Sequence, residues 1–149
     1  MINLSVIVPF FNEEQFLDES VNRLLSNDIY TSIYLIDNNS TDNSYEIAKN
    51  LAGNNEKIEL FKTGKNKGKG SVLAYSKNLI TTSHVVIHDA DLEYFPEDII
   101  EMFELAKQNQ KSLILGSRFI GSKKRENIYL RTFIANKVMS LFFSLVNFY

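Results

Sequence analysis

Apolar residues in this chain come in short runs that alternate with stretches of helical spacing. Leu4–Val8 is rich in β-branched residues and predicts a strand. From Glu13 to Leu25 the apolar positions Phe16, Leu17, Val21, Leu24 and Leu25 recur at the spacing of one helix face. Ile33–Ile36 predicts a second strand. Thr41-Asp42 then offers a cap for a helix through Leu51, with Tyr45, Ile47, Ala48 and Leu51 as its apolar members. Ile58–Phe61 predicts a third strand, and a Gly/Lys-rich loop, Gly64 to Gly70, leads into a helix ending near Ile80. Val85–Ile87 predicts a fourth strand. Pro96-Glu97-Asp98 opens a helix through Ala106, with proline in its first turn. Leu113–Leu115 predicts a fifth strand, and the C-terminal end reads as helix, amphipathic at first and then apolar nearly all round.

This alternation predicts an α/β fold: an open, mostly parallel sheet with helices on both faces. Ligands of such sheets bind beyond the carboxyl ends of the strands. The polar residues that follow each strand therefore carry the most weight.

Composition narrows the chemistry. The 149 residues suit one domain, and none is cysteine, which removes disulfide scaffolds, thiol nucleophiles and Cys-based zinc sites and fits a reducing cytosol. The two histidines, His84 and His88, fall in a strand-like run and so do not form a metalloprotease helix pair. The net charge of −2 conceals an asymmetry. From Ser117 onward six basic residues face one acid, Glu126, a net +5 that leaves −7 on the first 116 residues. The acidic body argues against nucleic acid as a partner, and the basic end suggests an anionic one. Val138 to Tyr149 carries no charge and nine of its 12 residues are apolar. That is too short for a membrane span of roughly 20 residues. It also ends without a helix stop signal, as an interrupted domain would. The N-terminus has no basic n-region and is cut by Pro9, so it reads as a strand and not a signal peptide.

Three acidic clusters and one arginine follow the strands: Asn12-Glu13-Glu14, Asp37 to Asp42, Asp89-Ala90-Asp91-Leu92-Glu93 and Gly116-Ser117-Arg118. In an extended segment Asp89 and Asp91 would project to one side, where two carboxylates repel unless a cation lies between them. Oxygen ligands of this kind suit Mg²⁺ or Mn²⁺; a loop that caps the next helix is the plainer alternative. Asp37 closes a buried strand and could accept hydrogen bonds from a base or ribose, or serve an Asx turn. Asn12 and Glu13 could cap the first helix. The Gly64–Gly70 loop lacks P-loop spacing, and no Gly-x-Gly-x-x-Gly follows the first strand, which disfavours a dinucleotide-binding domain.

Together these residues resemble the family 2 glycosyltransferases of GT-A (Rossmann-like) fold, in the branch of dolichyl- and polyprenyl-phosphate sugar transferases. Four motifs match in order: Val6 to Glu14 for the opening strand and its Pro-x-x-Asn-Glu turn, Asp37-Asn38-Asn39-Ser40-Thr41-Asp42, Asn66-Lys67-Gly68-Lys69-Gly70, and Asp89 to Tyr94 followed by Pro96 and Gly116-Ser117-Arg118. The resemblance implies that Pro9, Phe11, Asn12, Glu13, Asp37 and Lys69 bind the nucleotide. It implies that Asp89, Asp91 and Glu93 hold a divalent cation, Mg²⁺ or Mn²⁺, on the diphosphate. Asp89 and Asp91 with Arg118 and Arg131 would form the catalytic set, the arginines holding the phosphate of a lipid acceptor. The implied reaction is inverting transfer of a sugar from a UDP- or GDP-linked donor to a polyprenyl-phosphate-type lipid. The implied place is the inner face of the cytoplasmic membrane, held peripherally by the basic, apolar C-terminal end. A homo-oligomer is compatible with this reading. The Gln-x-x-Arg-Trp motif of processive members is absent, since the chain has no tryptophan.

The sequence also departs from the family's pattern. Asn38-Asn39 replaces Asp-Gly, Ser76 stands where glycine is usual, and Ser83-His84 replaces Gly-Asp. The family continues further, so residues 1–149 read as its nucleotide-sugar-binding domain, incomplete at the C-terminus and ending in an apolar helix over 129–149. A truncated, non-catalytic nucleotide-sugar-binding module is the alternative. A nucleotidyltransferase is disfavoured, because Pro9–Glu14 has no glycine.

Overall fold

The computed structural model describes residues 2–109, 111–116 and 130–147, with the side chains of 134–135 and 137–145 in the last segment. The chain divides into two compact units, Met1–Gly116 and Ser117–Tyr149.

The first unit runs β1 (Leu4–Phe10), α1 (Leu17–Leu25), β2 (Tyr30–Asp37), α2 (Ser44–Asn54), β3 (Ile58–Lys62), α3 (Lys69–Ser76), β4 (His84–Ile87) and α4 (Pro96–Gln108). Its four strands form one sheet in the order β3-β2-β1-β4. Every pairing is parallel, with Val6 opposite Ile33 and Val86, and Asp37 opposite Lys62. Alternation along β1 sends Leu4, Val6, Val8 and Phe10 to one face, where they pack with Leu17 and Val21 of α1, Ala48 of α2 and Ile99 and Phe103 of α4. Ile7 faces the other way, with Tyr34, Ile36 and Val72 of α3. The order explains the layering. β1 to β3 add strands in one direction, whereas β4 joins on the far side of β1. A right-handed crossover then has to lie on the opposite face, and α3 does.

Pro9 sits inside β1. The carbonyl of Ile7 accepts from His88 N–H on the β4 side and that of Phe10 from Asn38 N–H on the β2 side. Pro9 therefore faces the β4 side, beyond Ile7↔Ile87, where β4 pairing ends, and its missing N–H breaks no ladder bond.

Three expectations change, the first being that the helix expected to end near Ile80 ends at Ser76. Leu113–Leu115 is not a strand, and the sheet of the described residues has four. Ile114 packs on the core while Leu113 and Leu115 are 83% and 79% exposed, so the alternation is there without a neighbouring strand to bond. The helix expected from Glu13 begins at Leu17, because Glu13–Phe16 forms a turn in which the Glu13 carbonyl accepts from Phe16 and Leu17.

In the second unit, α5 spans Leu130–Asn147. Ile134, Val138, Leu141, Phe142 and Leu145 are exposed on it. No helix of the described residues is long and apolar enough to cross a membrane.

Candidate functional site

The strand order places a topological switch point between β1 and β4, the position at which open parallel sheets bind ligands. A pocket of about 340 Å³ opens there. Its walls come from Pro9 and Phe10 at the end of β1, Phe11 and Glu13 after it, Asn38 after β2, Asn66, Gly68, Lys69 and Val72 around the start of α3, and Asp89 to Asp91 after β4.

The loops after β1 and β2 are pinned to each other. Asn12 N–H donates to Ser40 Oγ at 3.0 Å and Glu13 N–H to Ser44 Oγ at 2.7 Å. In return Thr41 N–H donates to Asn12 Oδ1 at 2.8 Å and Asn43 N–H to Glu14 Oε2 at 3.0 Å. The motif residues expected to cap their own helices therefore serve across the gap. Neither α1 nor α2 has a side-chain cap at its first position; Asp42 instead accepts from Ser44 N–H and Oγ–H at 3.0 and 2.6 Å. Asn12, Asn39 and Leu92 have φ of 56°, 67° and 61°, and each lies in a loop at this edge of the sheet. Asparagine tolerates that left-handed backbone and leucine does so at a cost, the kind of strain found at functional sites.

Of the expected nucleotide ligands, Pro9, Phe11, Glu13 and Lys69 line the pocket. Asn12 lies outside the lining with its amide oxygen engaged by Thr41. Asp37 lies beneath, fully buried: Oδ1 accepts from Ser40 N–H at 2.8 Å, and Oδ2 is 3.3 Å from Lys62 Nζ. Lys62 also stands 4.5 Å from the Tyr45 ring centroid. Asn38 and Asn66, members of two of the motifs but given no site role from sequence, also line the pocket. The available signal was the place of Asn38 directly after a strand, at the end where ligands bind.

Asp89 and Asp91 meet in the pocket, although a turn at Ala90-Asp91 replaces the extended segment expected. Glu93 is exposed and is not a lining residue; its N–H donates to Asp91 Oδ1 at 3.1 Å. Among the described residues no three carboxylate or imidazole groups are gathered to hold a metal ion, so the three-carboxylate set expected is not assembled. The residues present still suit a divalent cation. Burial raises the Glu13 carboxyl above its ordinary value, and Asp91, Asp42 and Asp89 push it the same way, a sign of crowded negative charge. Lys69 pairs with Asp89 Oδ1. His88, just before Asp89, is buried, and burial pulls its imidazole down to about 4 against the opposing pull of Asp89 and Asp91. Arg118 lies outside the described residues. Arg131 falls on α5, and its side chain lies outside them too.

Residues 5–148 match Glycosyl transferase family 2. The chain belongs to that family. Its parallel α/β sheet has the GT-A fold of its structural neighbours. The mannosyltransferase PcManGT from Pyrobaculum calidifontis, solved in complex with GDP-Man and Mn²⁺, aligns with a TM-score of 0.56 at 26% identity, over 60% of this chain and 27% of that one. S. aureus TarS 1–349 in complex with UDP-GlcNAc aligns at 0.64 and 19% identity, over 83% and 37%, a likeness of fold. Among relatives by sequence, Protein RfbJ of Shigella flexneri is 28% identical, over 78% of this chain and 85% of its own length. The UDP-N-acetylglucosamine–dolichyl-phosphate N-acetylglucosaminyltransferase of Methanococcus voltae is 28% identical over 91% of this chain, and the dolichol-phosphate mannosyltransferase of Pyrococcus furiosus 29% over 85%. The chain spans 59% and 36% of the lengths of those two enzymes.

Proposed function

We propose that this chain binds a UDP- or GDP-linked sugar at the switch-point pocket and transfers the sugar, with inversion, to a polyprenyl-phosphate-type lipid. The observation that carries this reading is the convergence of Glu13, Asp89, Asp91 and Lys69 on one pocket. Pro9 and Phe11 give the pocket an apolar side for the base, and the buried Asp37 supports the Asn38 turn beneath it. Asp89 and Asp91 would hold Mg²⁺ or Mn²⁺, which neutralises charge on a departing nucleoside diphosphate. Lys69 would meet the diphosphate as a second cation. A lipid phosphate is already anionic, so it needs no general base in the pocket. Arg118 and Arg131 supply the cations for that phosphate in this reading.

The relatives named for dolichyl-phosphate transfer support a lipid acceptor. The exposed apolar side chains of α5, with Lys137 on the same helix and the basic run Lys123-Lys124-Arg125 earlier in the sequence, support peripheral attachment to the inner face of the membrane. A second reading is a non-catalytic nucleotide-sugar-binding module that keeps the pocket and transfers nothing.

The test is calorimetry of UDP and GDP with and without Mn²⁺, together with transfer from UDP- and GDP-sugars to polyprenyl phosphate in vesicles. Asp91→Asn should abolish Mn²⁺-dependent nucleotide binding, and unchanged affinity would overturn the site. Binding without transfer would select the second reading.

A further inference from the structure

We propose that Lys69 is an internal counter-cation for Asp89 that a divalent cation has to displace, so that nucleoside diphosphate and cation bind cooperatively. This rests on the reading of the pocket as a nucleotide and cation site. Among the described residues, three acids, Glu13, Asp89 and Asp91, and one lysine, Lys69, are the charged residues that line it. The ammonium of Lys69 sits on Asp89 Oδ1, one of the two carboxylate oxygens that Asp89 can offer a cation. The Asp89 side chain is 23% exposed and that of Lys69 is 50% exposed. The carboxylate is thus the partly sheltered partner, and the ammonium is the one with room to leave.

The backbone that presents Lys69 is held from both sides. Gly68, at φ 83°, donates its N–H to Asn66 Oδ1 at 3.0 Å, and the same oxygen accepts from Asn38 Nδ2 at 2.8 Å. The Gly68 carbonyl accepts from Ser71 N–H and Oγ–H at 3.1 and 2.8 Å. Lys69 therefore begins α3 from a fixed point, and its flexible four-carbon stem supplies the freedom. A divalent ion approaching Asp89 meets this ammonium, and two cations crowded on one carboxylate oxygen repel. A diphosphate in the pocket offers the ammonium another anionic partner and frees Asp89. Coupling of this kind is reciprocal: the nucleotide tightens the cation as much as the cation tightens the nucleotide.

The experiment measures free Mn²⁺ by electron paramagnetic resonance on the whole chain, alone and with UDP or GDP. It compares wild type, Lys69→Met, Lys69→Gln and Lys69→Arg, each checked for folding by circular dichroism. Lys69→Met and Lys69→Gln should bind Mn²⁺ alone about threefold more tightly or better, and Lys69→Arg should not. Nucleotide should then tighten Mn²⁺ less in the two uncharged variants than in wild type. If wild type binds Mn²⁺ and both uncharged variants bind it no more tightly, the counter-cation role is overturned while the pocket stands. If no form binds Mn²⁺ under any condition, the cation reading of the pocket falls, and this inference with it.

Discussion

Asn38 Nδ2 donates to Asn66 Oδ1 at 2.8 Å, joining the end of β2 to the basic loop 28 residues later. The acceptor oxygen also holds Gly68 N–H, and Asn38 Oδ1 in turn accepts from Thr63 Oγ–H at 3.3 Å. Asn38 is buried, so this amide pair decides where the loop sits.

Removing either amide breaks the same link. Asn38→Ala and Asn66→Ala should each destabilise the fold, and the double variant should cost less than their sum. In a urea-unfolding cycle the coupling should be about 0.5–1.5 kcal/mol. Additive losses would show that the loop is held by something else.

Asn12 combines a φ of 56° with an amide oxygen that accepts from Thr41 N–H and Oγ–H. Asn12→Gly loses the bonds but keeps the backbone, whereas Asn12→Ala loses both. The alanine variant should be less stable than the glycine variant by about 1 kcal/mol in urea midpoints. Equal loss would mean that the backbone there is not strained.

His88 is neutral in the folded chain, with a pKa of about 4 set first by burial. An unfolded histidine titrates near 6.5, so between about 6.5 and 4 the unfolded state binds the extra proton. Stability should therefore fall as pH drops through that window. His88→Gln should show a shallower fall in denaturant midpoint from pH 7 to 4.5, and matching slopes would place the titration elsewhere.

Much of this was legible in the sequence. Alternating and helical spacings mark which residues turn inward, because a strand repeats every two residues and a helix every 3.6. They predicted β1 to β4, α4 and an α5 near its observed bounds. The polar residues after each strand, read with the family's motifs, pointed to Glu13, Lys69, Asp89 and Asp91 before any contact was known. Spacing was silent on partners. Leu113–Leu115 has the sidedness of a strand and no ladder, since a ladder needs a neighbour that local pattern does not name.

What the sequence determined by itself is most of the elements, the family and the chemical character of each strand end, because those follow from local spacing and residue type. The tertiary structure decided which ends meet. The order β3-β2-β1-β4 sets residues 9–13 against 89–91, some 80 positions apart, and the crossover onto the other face brings Asn66 to Val72 to the same pocket. It also turned Asn12 into a pin between loops, left Glu93 outside the pocket and set Lys69 on Asp89. Each of these depends on strand order and on hydrogen bonds between distant loops, which no local pattern encodes.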